Sequence, residues 1–167
     1  RLRVGYQMTL RDFLHAALMN SDNRATRALA RAVSGSIEEF AKEMNRKVKK
    51  MGLENTVFFE PTGLDARNVS TAHEVAKILH YAFDYELIAH ITSLKRYDCH
   101  VINRNDRVVP MANTNLLVHS RYDVLAGKTG YIRAADYCLT TLVRNNDSQR
   151  LTLVVLGAPR DRIRFRE

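Results

Sequence analysis

Along the first ninety residues, apolar side chains recur every three to four positions, which predicts a series of helices with one buried face each. Leu10, Phe13, Leu14, Ala17 and Leu18 form the first stripe. Thr9 stands where an N-cap belongs, and Asp12 lies in the acidic first turn. Met19-Asn20 ends this helix, and Ser21-Asp22-Asn23 has the composition of a turn and a cap. A second helix runs from Asn23 or Arg24 to Val33, with Ala28, Leu29 and Ala32 inward, and breaks at Ser34-Gly35. Ser36 and Glu39 have capping-box spacing for a third helix, whose stripe is Ile37, Phe40, Ala41, Met44, Val48 and Met51 and whose C′ residue is Gly52.

Val57-Phe58-Phe59 predicts a short extended segment, followed by a turn at Glu60-Pro61-Thr62-Gly63. Ser70 or Thr71 caps a fourth helix with Val75, Ala76, Leu79, Ala82 and Phe83 inside, and Asp84 is placed to cap a fifth carrying Leu87, Ile88 and Ile91. From Lys95 the period shortens. Arg96 to Ile102, Val124 to Tyr131, Tyr137 to Arg144 and Leu151 to Leu156 predict strands, with turns at Asn103 to Asp106 and Asn145 to Ser148. Pro159 to Glu167 predicts the start of a further helix. Helices first and antiparallel strands afterwards predict an α+β fold in one domain: a helical part over about 9–92, a sheet part over about 95–158 and a helix start at 159–167.

The composition fits a globular domain: 167 residues, 46% hydrophobic, 7 Gly and 3 Pro. No apolar run reaches the ~18 residues of a membrane span. The chain opens on Arg1-Leu2-Arg3-Val4 without an apolar stretch behind it, so a leader, if the protein is secreted, is expected upstream. The net charge of +8 suits polyanionic surfaces, including cell-wall polymers. The basic residues are spread out, and the densest group, Arg46 to Lys50, closes a helix where cations favour the dipole. No aromatic-plus-basic reading motif accompanies them, so nucleic acid is not expected as a partner. His73 and His80 are read as ordinary helix residues, with no metal expected. Cys99 and Cys138 could form one disulfide. The plainer reading of Cys138, inside an apolar strand, is a buried free thiol.

The chemistry concentrates in two short stretches about a hundred residues apart. Lys128-Thr129-Gly130 lies on a strand, where an ammonium and a small hydroxyl can both meet a carboxylate. Gly130 keeps a side chain out of the way, and the N–H of Tyr131 can point at an oxyanion. Ser21 could relay a proton, and Asn23 could hold an amide carbonyl. The set makes a peptide-recognition and proton-transfer half-site that lacks a nucleophile.

Ser21-Asp22-Asn23 and Lys128-Thr129-Gly130 are two of the three motifs of enzymes acylated by D-alanyl peptides or β-lactams. The chain resembles the serine-type D-alanyl-D-alanine carboxypeptidases, the low-molecular-mass penicillin-binding proteins. The likeness extends to Gly52-Leu53-Glu54-Asn55-Thr56, Glu60-Pro61-Thr62-Gly63-Leu64, Asn68-Val69-Ser70-Thr71-Ala72 and Asn113-Thr114-Asn115. It implies a β-lactamase/DD-peptidase-like transpeptidase fold. The substrates implied are peptidoglycan D-Ala-D-Ala peptides, with β-lactam antibiotics as inhibitors. The location implied is periplasmic or otherwise extracytoplasmic, and no cofactor is implied. By the same resemblance Ser21 passes protons to the leaving amine, Asn23 binds the acyl-side amide and Lys128 sets the local field. Thr129 then binds the terminal carboxylate, and the Tyr131 N–H is half of an oxyanion hole.

Three departures stand out. Relatives usually carry Thr where Ile132 stands and Gly where Asp136 stands. None of the serines at 21, 34, 36, 70, 93, 120 and 148 has Lys three residues later, so the Ser-x-x-Lys nucleophile motif does not occur. The N-terminal strands and nucleophile helix of the fold are therefore expected to be absent, and a preceding fragment or another chain is expected to complete the site. The alternatives are a DD-endopeptidase of the same family, a class A β-lactamase with Glu60 as deacylating base, and a non-catalytic peptidoglycan-binding module.

Overall fold

A computed structural model describes residues 2–105 and 107–166. Five helices come first: α1 (Leu10–Met19), α2 (Asn23–Ser34), α3 (Ile37–Lys50), α4 (Ala72–Phe83) and α5 (Glu86–Ser93). A hairpin of β1 (Arg96–Val101) and β2 (Arg107–Ala112) follows. Then come β3 (Asp123–Ile132), β4 (Asp136–Arg144) and β5 (Arg150–Ala158), an antiparallel meander in that order. The mixed helix and antiparallel-sheet architecture is the expected α+β fold. Helix α5 lies along β3, and α4 packs on the β3–β5 sheet.

Local chemistry sets the helix ends. Thr9 and Asp12 form a reciprocal capping box, and Asp22 caps α2 through its carboxylate. Ser36 accepts from the Glu39 N–H, so only one half of that capping box forms. Gly52, at φ 70, closes α3 with bonds from the Gly52 and Leu53 amides to the Lys49 and Val48 carbonyls, a Schellman pattern.

Several expectations need correction. Leu10 is 64% exposed, and Ala32 also faces outward. Besides the expected Ala17, the buried face of α1 carries Asp12, His15, Ala16 and Met19. Tyr97 on β1 explains the polar pair: its hydroxyl donates to Asp12 at 3.1 Å, and its ring stacks on His15 at 3.6 Å. Satisfied polar groups can be buried where unpaired ones cannot. Asp84 ends α4 rather than capping α5, which starts after Tyr85 with no side-chain cap. Strand β2 was not expected. Pro110 interrupts its text, but the strand belongs to a two-stranded sheet, where an outward proline opposite Asp98 is tolerated. Cys138 is half-buried, and both cysteines are free, on separate sheets. In the segment expected to open a last helix, Ile163–Phe165 form a single 3₁₀ turn. The Asp106 end of the predicted turn lies outside the described residues.

Asp136 opens β4 at φ 51, in the left-handed region. Glycine adopts this backbone freely, and aspartate tolerates it better than most L-residues. Glycine at this position would therefore carry a conformational advantage.

The largest core group unites α1, α2 and the β1–β2 hairpin through Ala16, Ala25, Cys99, Val101, Val109 and Met111. Smaller groups seat α4 on the sheet through Leu79, Ala126 and Leu142, and join Val118, Val124 and Val143. Among the described residues strand β5 has one strand neighbour, β4, and it leaves Leu151, Leu153 and Leu156 between 39% and 55% exposed.

Two glycines of β3 differ sharply in surroundings. A Cβ on Gly127 would sit 2.7 Å from Asn115 Nδ2 and 3.0 Å from the Thr140 carbonyl, whereas one on Gly130 would meet nothing closer than Cys138 Cβ at 3.6 Å. Gly127→Ala is expected to destabilise the protein by about 1–3 kcal/mol, as overpacking does, and Gly130→Ala by less than about 0.5 kcal/mol. Urea unfolding of the two variants checks the contrast.

Candidate active site

The end of α1 and the start of α2 meet in a tight corner. The Asp22 N–H bonds back to the Ala16 carbonyl at 3.0 Å, and the Asp22 carboxylate accepts from the Arg24 and Ala25 amides at 2.9 and 3.0 Å. Those bonds fix the corner and hold Ser21 at φ 54, an unusual backbone for a serine. Strained dihedrals of this kind persist where the surroundings over-determine them. Asn23 is the first residue of α2, just past the corner.

Lys128 reaches this corner from β3. Its ammonium donates to Ser21 Oγ and, at 2.9 Å, to the carbonyl of Thr129. The side chain keeps some surface, but the charged end lies deep. Burial, with a smaller push from the Arg164 cation, lowers its pKa from 10.5 to about 8. Arg164 is itself buried. It donates to the carbonyls of Gly130 and Cys138 at 2.9 and 3.0 Å and pairs with Asp161 at 2.5 Å. It thereby clamps the β3–β4 pair just past Lys128-Thr129.

A polar knot, Asn113-Thr114-Asn115, ties the helical part to the sheet. Asn113 donates to the carbonyls of Thr92 and Leu94, and its own carbonyl oxygen accepts from the Asn115 amide. Asn115, 1% exposed, donates to Thr141 and caps the 3₁₀ turn Leu116–His119. Between them the Thr114 N–H bonds the Met19 carbonyl at 3.0 Å, and its hydroxyl lies 2.6 Å from that of Thr129.

The loop from Phe58 to Asn68 supplies further wall. Asn45 on α3 exchanges two hydrogen bonds with the Phe58 backbone, and Asn68 accepts from the amides of Phe59 and Glu60. The Glu60 carboxylate accepts from the Thr62 hydroxyl, from the amides of Thr62, Leu64 and Asp65, and from the Asn68 side chain. These bonds outweigh the cost of partial burial and hold its pKa below the usual carboxylate value.

Together these elements enclose a cleft of about 520 Å³. Ser21, Asn23, Lys128, Thr129, Gly130 and Tyr131 all line it, so the fold gathers every residue singled out in the two motifs. Tyr131 is 54% exposed at the rim and stacks on Tyr137 at 4.2 Å. The cleft also contains Thr114, Asn68 and Arg164, which the motif reading did not assign. Thr114 sat inside a polar triplet noted without a role. Arg164 carried no signal, because its partners lie 26 and 34 residues away in sequence. Chemically, the cleft offers a hydroxyl bonded to an amine of lowered pKa, a second hydroxyl beside it, and two buried cations that favour a carboxylate.

A family profile described as D-alanyl-D-alanine carboxypeptidase matches residues 1–160. The chain is 38% identical over 161 residues to the D-alanyl-D-alanine endopeptidase of Escherichia coli, covering 95% of this chain and 51% of that protein. It is 37% identical to the D-alanyl-D-alanine carboxypeptidase DacF of Bacillus subtilis, covering 96% of this chain and 41% of that one. Among solved structures, the Streptomyces K15 DD-transpeptidase superposes with a TM-score of 0.91 at 25% identity, over 98% of this chain and 66% of that one. The chain belongs to the D-alanyl-D-alanine carboxypeptidase family, and it spans about half the length of the curated relatives it matches.

The lowered pKa of Lys128 has a stability consequence with a definite sign. Between about pH 8 and the ordinary lysine value of 10.5, the folded state has released a proton that the unfolded chain still holds. Stability from this residue therefore rises with pH across that window and is flat below it. Lys128→Met is expected to remove that rise. Urea midpoints measured at pH 7 to 10.5 for the protein and the variant, taken as a difference, check this.

Proposed function

We propose that the full-length protein is a serine DD-peptidase that removes the terminal D-alanine from peptidoglycan stem peptides through an acyl-enzyme. The observation that carries this reading is the Lys128–Ser21 hydrogen bond, made across 107 residues inside a cleft lined by Thr129 and Tyr131. Family membership supports the same chemistry. The acylated serine and its lysine come from residues outside these 167, since no Ser-x-x-Lys occurs within them.

Each lining residue then has a task. Thr129 accommodates the terminal carboxylate, with the Lys128 and Arg164 cations setting a favourable field. Asn23 holds the amide on the acyl side. The incoming serine gives its proton to the lysine that accompanies it and attacks the penultimate carbonyl, and the Tyr131 N–H stabilises the developing oxyanion. Ser21 hands a proton to the departing D-alanine amine, and Lys128, with its lowered pKa, can restore it. Gly130 leaves the strand edge open to an extended peptide. Water then hydrolyses the ester and regenerates the serine. A β-lactam opens on the same serine. No metal or cofactor takes part. A substrate of this kind places the protein outside the cytoplasmic membrane, with peptidoglycan as its partner. No helix among the described residues is long and apolar enough to cross a membrane.

A second reading, cleavage of D-alanyl cross-links, is favoured by the 38% identity to a relative named as an endopeptidase. It uses the same groups. A class A β-lactamase is disfavoured by Glu60, whose oxygens accept from the amides, hydroxyl and side chain of its own loop.

Incubation of the full-length protein with labelled penicillin tests the proposal. A long-lived adduct of one penicillin per chain is expected, with Ser21→Ala slowing its formation by about 10²-fold or more. The 167 residues alone are expected to take no label. Absence of any adduct on the full-length protein, or rapid penicillin turnover, would overturn the reading. Product analysis on cross-linked and uncross-linked muropeptides separates endopeptidase from carboxypeptidase.

A further inference from the structure

We infer that Thr114 is a positioning residue: by donating to Thr129 Oγ1 it fixes the direction of the Thr129 hydroxyl, so that the hydrogen of Thr129 points at the substrate carboxylate. The inference rests on the DD-peptidase reading of the cleft and adds a residue to it.

The argument is a count of hydrogens. A threonine hydroxyl has one hydrogen to donate and two lone pairs to accept with. Thr114 Oγ1 lies within reach of two acceptors, Thr129 Oγ1 at 2.6 Å and the Met19 carbonyl at 3.2 Å. Its single hydrogen serves one of them at a time. If it points at Met19, Thr129 must supply the hydrogen between the two hydroxyls, and Thr129 can then only accept from the cleft. If it points at Thr129, the Thr129 hydrogen is free to donate into the cleft. An ionised carboxylate only accepts. A bound carboxylate therefore selects the second arrangement, in which the Thr114 hydrogen occupies one Thr129 lone pair and holds the Thr129 rotor with its own hydrogen toward the carboxylate.

The rest of the geometry suits a rotor. The Met19 carbonyl also accepts the Thr114 N–H at 3.0 Å, so it stays satisfied when the hydroxyl swings away. Thr129 is 8% exposed, which limits competition from water for its hydroxyl. Thr114 itself is pinned on both sides by the buried amides of Asn113 and Asn115, so the hydroxyl turns while the backbone holds still. A hydrogen bond to a charged acceptor is about twice as strong as one between neutral groups, so losing its orientation is costly at this point in the site.

The test uses the full-length protein and two D-Ala-D-Ala peptides, one with a free C-terminal carboxylate and one ending in an amide. Thr114→Val keeps the shape and removes the hydroxyl. It is expected to raise KM for the free-acid peptide about tenfold, to leave kcat within about twofold, and to leave the amide peptide nearly unaffected. Thr114→Ser restores the hydroxyl and is expected to return KM for the free-acid peptide to near its original value. Thr114→Ala replaces the valine variant if that one does not fold. Equal losses on both peptides, failure of serine to rescue, or an unchanged KM would each overturn the inference while leaving the peptidase reading intact. If the unmodified full-length protein neither cleaves the peptides nor binds penicillin, the peptidase reading fails and takes this inference with it.

Discussion

The arrangement depends on one buried ammonium that must find partners. Lys128 stands on a strand whose charged end lies deep in the structure, where an uncompensated charge would be expensive. Its partners come from two places: the carbonyl of the next residue in β3, and a hydroxyl at the corner between two helices. That second bond joins the helical part to the sheet inside the cleft. The Ser21 backbone is held at positive φ by the Asp22 cap and the Asp22–Ala16 bond, so the hydroxyl is delivered by architecture rather than by side-chain freedom. The knot at Asn113 to Asn115 performs the same joining one layer further in, with amides in place of charges.

The two motifs were legible because each is local text whose chemistry does not depend on distant residues. What the text could not tell was which distant groups complete them. Thr114 acquires meaning only when folding brings it to Thr129, and Arg164 only when the turn after β5 folds back on β3 and β4. The helical expectations show a similar limit. Periodicity located α1, but the face it buries was settled by Tyr97, which welcomes Asp12 and His15 and leaves Leu10 outside. In α2 the buried positions are Ala25 and Ala30, a narrow alanine seam that a count of large apolar residues does not pick out. Strand β2 was hidden by Pro110, since the alternation of Val109 and Met111 around it is only two inward positions long.

Glu60 shows why a suggestive carboxylate has to be read through its neighbours. By sequence it falls where a hydrolytic base could stand. In the fold its oxygens are committed to one loop, and the loop in turn presents Pro61 to Leu64 to the cleft. The charge is used to shape a wall. Such a wall is stiff without being part of any regular element, because side-chain acceptors replace the partners that a strand or helix would provide.

Strand β5 carries a consequence for how this stretch of polypeptide behaves in a test tube. Its ladder is engaged on one side by β4, and three leucines flank it in partial exposure. A strand edge of this kind can pair with the same edge of another molecule, so folding of these 167 residues as a separate species competes with inter-chain sheet growth. The outcome of that competition is set by concentration: dilute solution favours the intramolecular route, whose rate does not depend on encounters, while crowding at high expression levels favours precipitation. The large positive charge of the chain works in the opposite direction, through mutual repulsion that salt would weaken.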